Sequence, residues 1–238
     1  MLAAWCCGEK GEGMASGGYH RVCMFQGELF SCSDASTPVP TFERIAMEDA
    51  EVFICRRFLS QDVAQQLYQE LRVDVDWEQE SYVMYGRDVP SPRLTAWYGD
   101  PDSVYEYSGV RHEPTPWART PWLSQLRESI QLATDAQFNS VLLNYYRDGR
   151  DGVAWHSDDE ADLGARPTIA SLSLGAPRVF QFKHRDRTEL QRIDVELPPG
   201  SLLVMAGDCQ RYWRHQIPKR KNLRDGRINL TFRLCREV

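Results

Sequence analysis

Arg227-Ile228-Asn229-Leu230-Thr231-Phe232-Arg233 alternates polar and apolar side chains without a break. That period of two belongs to a strand whose successive residues point to opposite faces. Ile228, Leu230 and Phe232, with Leu234 beyond them, share one face, and Arg227, Asn229, Thr231 and Arg233 share the other. Facing solvent, the polar side would be unremarkable. Facing into a barrel, two guanidinium groups require anionic partners, because a buried unpaired charge is very costly. A small dicarboxylate would supply both through bidentate pairs.

Outward from this strand, the chain from Asn139 consists of short period-two runs divided by Gly, Pro and charged turns. They are Val141–Tyr146, Thr168–Leu174, Arg178–Phe182, Arg192–Leu197, Ser201–Met205 and Ile228–Leu234. Six strands so spaced predict an all-β sandwich or barrel with a jelly-roll-like core, not a βαβ fold. Upstream, Ser60 followed by Val63, Leu67 and Leu71 predicts a capped amphipathic helix. Thr120-Pro121 ahead of Leu123, Leu126 and Ile130 places a cap and an N1 proline on a second. Residues 1–41 are rich in Gly, Ser and Cys and read as an irregular leader to a single domain over 42–238.

Composition narrows the class. No run approaches the roughly 18 uninterrupted apolar residues of a membrane span. The N-terminus has no basic region ahead of its apolar residues, so it is a poor secretory signal. A cytoplasmic address, or a nuclear one in a eukaryote, is the expectation. Seven scattered cysteines with no CxxC pair argue against a disulfide framework and a structural zinc site. The net charge of −6 hides an asymmetry: residues 177–236 carry fourteen Lys/Arg against six Asp/Glu, or +8, leaving −14 elsewhere. Such a half could dock on phosphates, or form an ordinary solvated basic face.

Trp155-His156-Ser157-Asp158-Asp159-Glu160 carries the chemistry. In extended chain His156 and Asp158 point the same way and can chelate one ion; the same pattern also occurs on surface loops that hold no metal. A third ligand has four candidates, His20, His112, His184 and His215. We choose His215, which lies in the aromatic stretch Tyr212-Trp213-Arg214-His215-Gln216 just before the last strand. Two imidazoles and a carboxylate on one face of a metal suit Fe(II) and leave positions open for a chelating substrate and O₂; zinc could occupy the same ligands. Asn144 and Tyr146 share a strand face, which could equally be a solvent-facing edge. There is neither GxGxxG nor GxxxxGK[ST], so nucleotide-cofactor folds lack their usual support.

The order and spacing of Asn-x-Tyr, His-x-Asp, a distal His and Arg-x-Asn-x-Thr-x-Arg resembles the AlkB family of Fe(II)/2-oxoglutarate-dependent dioxygenases, over roughly Phe42 to Arg236. Trp-His-Ser-Asp-Asp-Glu followed by Ile169-Ala-Ser-Leu-Ser-Leu-Gly-Ala176 looks like the branch that repairs alkylated nucleic acid. The resemblance implies a mainly β fold with flanking helices: a double-stranded β-helix core over about 139–236, N-terminal helices and a nucleotide-recognition lid over about 80–110. It implies His156, Asp158 and His215 as iron ligands, and Asn144, Tyr146, Arg227, Asn229 and Arg233 as the 2-oxoglutarate site. Asp159 and Glu160 would contact the flipped base, with Tyr107 stacking on it and Tyr105 hydrogen-bonding. Arg93 would contact strand or substrate, and Tyr85, in Met84-Tyr85-Gly86, would stand where the family's duplex-probing hairpin carries an apolar wedge.

The implied reaction consumes O₂ and 2-oxoglutarate, yields succinate and CO₂, and removes a methyl group from 1-methyladenine or 3-methylcytosine in DNA or RNA as formaldehyde. Single- or double-stranded alkylated DNA is the expected partner, and a monomer the expected state. A protein or small-molecule hydroxylase would need neither the two tyrosines nor the acidic pair. A non-catalytic jelly-roll binding module would bind neither iron nor 2-oxoglutarate.

Overall fold

The structure, a computed structural model, describes residues 40–84, 86–103, 105–107 and 110–236. The predicted leader up to residue 39 and Tyr85 lie outside those residues, as do the side chains of Tyr105 and Tyr107.

Two sheets form the body of the domain. The larger has eight strands in the order Glu43–Ile45, Glu51–Cys55, Leu202–Ala206, Ile169–Gly175, Arg227–Arg233, Ser140–Tyr146, Leu94–Gly99 and Thr115–Pro116. The smaller has four: Val153–His156, Trp213–Ile217, Arg178–His184 and Ile193–Leu197. All neighbours are antiparallel except the last pair of the large sheet. Val52, Ile54, Trp97, Leu203 and Met205 from the large sheet meet Phe180, Phe182, Val195, Leu197, Trp213 and Ile217 from the small one in a shared core. This is the double-stranded β-helix, or jelly roll.

The opening heptapeptide is the Arg227–Arg233 strand itself, hydrogen-bonded between Ile169–Gly175 and Ser140–Tyr146 and buried at every residue. Its apolar face turns away from the small sheet. Helix Gln61–Asp74 packs there, presenting Ala64, Leu67, Tyr68 and Leu71. The Phe232 ring also lies 6.1 Å from that of Phe138. Full burial of Leu230 and Phe232 stabilises the fold by about 1.5–3 kcal/mol each. The polar face looks between the sheets.

Three expectations are corrected. Val63 is half-buried, and the inward stripe of the first helix runs instead through Ala64 and Tyr68 beside Leu67 and Leu71, because a helical face repeats at three and four residues, not four alone. Ser60 does cap it, accepting from the Val63 N–H at 3.3 Å. The second helix, Pro121–Thr134, begins on its proline, but the Thr120 side chain makes no capping bond. Finally, the core reaches back before residue 139: four upstream strands, Glu43–Ile45, Glu51–Cys55, Leu94–Gly99 and Thr115–Pro116, complete the large sheet. They are too short, or too interrupted by turns, to show a period.

The stretch expected as a lid is two hairpins, Ser81–Met84 with Arg87–Pro90 and Tyr105–Tyr107 with Val110–His112, separated by the core strand Leu94–Gly99. Gly86 turns the first hairpin at φ +74°, a region that costs an L-residue about 1–2 kcal/mol.

Candidate active site

His156 ends one strand of the small sheet and pairs with His215 on the next. The His156 Nδ1–H donates to the Ala154 carbonyl at 2.8 Å, which leaves Nε2 as the free lone pair. That Nε2 lies 3.5 Å from Oδ1 of Asp158, and the His215 Nε2 lies 3.8 Å from the same oxygen. Two nitrogens and one carboxylate oxygen therefore converge on one point. His184, the rival ligand, is engaged elsewhere: its Nδ1 accepts from the Asp186 and Arg187 amides, and its Nε2 sits 3.7 Å from Asp49.

Electrostatics keep the three groups ready to ligate. Burial would raise the Asp158 carboxyl, but Arg233, His215 and His156 together hold it below the usual carboxylate range. The Arg233 Nη2 donates to Asp158 Oδ2 at 2.8 Å, so Oδ1 is the oxygen left for an ion. Its backbone N–H is held by Gln210 Oε1 at 3.0 Å. His215 is pushed down to about 3 by burial and by His156. A neutral imidazole is the form that binds metal. The ring is fixed by stacking on Phe180, 5.0 Å away at 23°.

The polar face of the central strand continues the site. Cross-strand register places Arg227 opposite Tyr146, Asn229 opposite Asn144, and Ser173 opposite Asn229 from the other side. Arg227 Nη2 donates to Ser173 Oγ at 2.9 Å and to Asn229 Oδ1 at 2.7 Å. Asn229 in turn donates to Thr231 Oγ1 at 2.7 Å and accepts from Ser171 at 2.8 Å. Arg227 is 1% exposed, and its Nε and Nη1 have no hydrogen-bond partner among the described residues. Burial lowers this guanidinium to about 10, so it stays charged at neutral pH.

The donor set fits the group the sequence pattern asks for. Neutral imidazole nitrogens with one carboxylate oxygen match a facial Fe(II) site, and the orphaned Arg227 donors mark where a carboxylate would dock.

The remaining sequence candidates are placed as follows. Arg93 Nε donates to Asn144 Oδ1 at 2.7 Å, so this arginine adjoins the Asn144 end of the polar face. Exposed Asp159 pairs with Arg185. Glu160 is half-buried, its Oε2 without a hydrogen-bond partner among the described residues; burial and neighbouring Asp158 raise its carboxyl. Sequence reasoning missed Ser171 and Ser173, although two serines alternating with apolar residues in Ile169–Leu174 carry the period that identified the central strand. It also missed Gln210 and Arg178. The basic C-terminal half divides: Arg178, Arg227 and Arg233 are buried, Arg185, Arg187 and Arg192 pair with carboxylates, and Lys183, Arg214, Lys219, Arg220, Lys221 and Arg224 are exposed.

Comparison with known proteins agrees with this geometry. Residues 51–233 match the model of the 2OG-Fe(II) oxygenase superfamily. The chain belongs to that superfamily, and within it to the AlkB homologues, a class of Fe(II)/2-oxoglutarate dioxygenases. It is 41% identical to the bovine alpha-ketoglutarate-dependent dioxygenase alkB homolog 3 over 77% of this chain and 66% of that protein. It is 37% identical to the human DNA oxidative demethylase ALKBH2 over 71% and 68%. The solved structure of OsALKBH1 superposes with a TM-score of 0.52 at 19% identity, over 76% of this chain and 97% of that one, which supports the fold. The chain spans 61–66% of the length of the mammalian alkB homolog 3 proteins it matches. No described helix is long and apolar enough to cross a membrane.

Proposed function

We propose that the protein demethylates alkylated bases in nucleic acid, 1-methyladenine and 3-methylcytosine in DNA above all and the same lesions in RNA. The observation that carries the reading is the juxtaposition of the His156–Asp158–His215 cluster with buried Arg227, whose Nε and Nη1 meet no carboxylate among the described residues. With Fe(II) and 2-oxoglutarate bound, the site would supply O₂ activation, taking the cosubstrate to succinate and CO₂. His156, Asp158 and His215 would hold the metal. Asn144, Tyr146, Arg227, Asn229 and Arg233 would hold and orient the dicarboxylate, with Arg227 at its far carboxylate.

The protein's part is geometry and exclusion of water. Arg233 commits one oxygen of Asp158 and leaves the other for the ion. The target methyl sits on a Watson–Crick edge, so the base must leave the stack, and a lesion that blocks pairing lowers that cost. Both named bases carry positive charge when methylated. Asp159 and Glu160, next to the metal ligand, would favour them, as would stacking on Tyr107 with Tyr105 beside it. Tyr85 and Arg93 would act on the strand, and the exposed basic residues would hold phosphates, so affinity should fall with salt. We place the protein in cytoplasm or nucleus as a monomer.

The test is the mass of a single-stranded DNA carrying one 3-methylcytosine after incubation with Fe(II), ascorbate and 2-oxoglutarate. Loss of one methyl only in the complete mixture is the expected result. No loss from iron-loaded protein would overturn the nucleic-acid reading and leave a hydroxylase of another substrate.

A further inference from the structure

Arg178 opens a strand of the small sheet and is 1% exposed, yet it takes part in no ion pair among the described residues. Its Nη2 donates to the carbonyls of Pro218 at 2.8 Å and Asp151 at 3.0 Å. The nearby carboxylates are already engaged: Asp151 accepts from Arg147 at 2.7 and 3.0 Å, and Asp148 from Arg150 at 2.9 and 2.6 Å. The Arg178 Nε has no hydrogen-bond partner among the described residues. Its Cζ lies 5.6 Å from the centre of the Tyr146 ring, and the Cζ of Arg227 lies 5.4 Å from the same centre. One phenol thus carries two buried guanidinium groups, one from each sheet.

Satisfying backbone carbonyls does not require a permanent charge, and burying one without a counter-ion costs several kcal/mol. A neutral amide or a water could bridge the same carbonyls. Two such charges beside one tyrosine make a charged cluster whose missing component is an anion. Resting on the cosubstrate reading above, we propose that Arg178 is a positioning residue for the far carboxylate of 2-oxoglutarate: it locks the Tyr146 ring against Arg227 and adds a second positive charge to the field that carboxylate enters. It acts through Tyr146, tying the 148–151 loop and Pro218 to the carboxylate end of the site.

The test compares two ligands that differ in that carboxylate. Native protein, Arg178→Gln and Arg178→Lys, each loaded with Mn(II), are titrated calorimetrically with 2-oxoglutarate and with 2-oxopentanoate, which lacks the far carboxylate. Native protein should prefer 2-oxoglutarate. Arg178→Gln should reduce that preference about tenfold, with affinity for 2-oxopentanoate unchanged, since only the interaction with the second carboxylate is lost. Arg178→Lys should lose about threefold, because an ammonium keeps the charge but not the planar fork that holds the carbonyls and ring. Equal weakening of both ligands would reduce Arg178 to a structural clamp, and an unchanged preference would remove it from the site; either overturns the proposal. Should Arg178→Gln fail to fold, Arg178→Lys decides by the same criterion. Native protein with no preference would refute the cosubstrate reading instead.

Discussion

Two populations of arginine divide this molecule. On the outside, Arg147, Arg150, Arg187 and Arg192 each meet a carboxylate of the same chain at 2.6–2.8 Å. Between the sheets, Arg178 and Arg227 meet none among the described residues, and their contacts there are carbonyls, a serine, an asparagine and the Tyr146 ring. Arg233 is intermediate, tied to the carboxylate of a metal-ligand candidate. Surface pairs form because long side chains find each other at little cost and little gain. An interior charge has no such freedom. Its persistence without a counter-ion indicates that the counter-ion arrives with a ligand.

The comparison breaks most visibly at Asp158. Asp158→Ala removes a ligand and leaves Arg233 without its carboxylate, so bound iron by metal analysis should fall to background and turnover of a 3-methylcytosine oligonucleotide by at least about 10³-fold. Arg227→Met should separate stability from function. It should raise the 2-oxoglutarate concentration needed for half-saturation by about 10–100-fold, the range of a charged hydrogen bond. The ligand-free protein should melt no lower than native, since replacing an uncompensated buried charge by an apolar group is often neutral or stabilising. A large drop in Tm would show that Arg227 already has a counter-charge in the free protein.

Native protein itself should respond to ligand. With Mn(II) bound, 2-oxoglutarate at 100 times its Kd should stabilise by about 2.7 kcal/mol, read as a Tm rise of about 5–10 °C, and Arg227→Met should cut the stabilisation at the same concentration to about 0.4–1.4 kcal/mol. At the small end, Arg192→Ala, which breaks an exposed pair with Asp194, should move Tm by no more than about 2 °C and leave activity alone. Thiol labelling sharpens the same interior. Cys55, Cys209 and Cys235 are buried, and burial pushes the Cys209 thiol up to about 12. At pH 8 a thiolate-selective reagent mapped by mass spectrometry should leave all three unmodified until the protein unfolds.

Six of the eight strands from residue 139 onward were legible as short runs between turns, whereas Val153–His156 and Trp213–Ile217, which carry two of the ligand candidates, were not read as strands. The smaller strands were not: Glu43–Ile45 and Thr115–Pro116 have too few residues to express a period. The ligand candidates His156 and Asp158 stood out because a His-x-Asp on extended chain places two donors together without help from the fold. Gln210 and Arg178 left no such trace. Each acts at a distance in sequence, on Asp158 52 residues away and on the Pro218 carbonyl 40 residues away.

By itself, then, the sequence determined the jelly roll, the two-faced last strand and two ligand candidates, His156 and Asp158, all of which follow from local periodicity and from donors spaced two apart. The tertiary structure decided the place of the third histidine: the aromatic stretch around His215 favoured it over His184, but only sheet pairing sets one beside Asp158 and the other beside Asp49. It also decided which arginines are paired. Charge is written in the sequence, but the distance to the nearest carboxylate is set by chain closure, and electrostatic energy depends on that distance and on the burial around it.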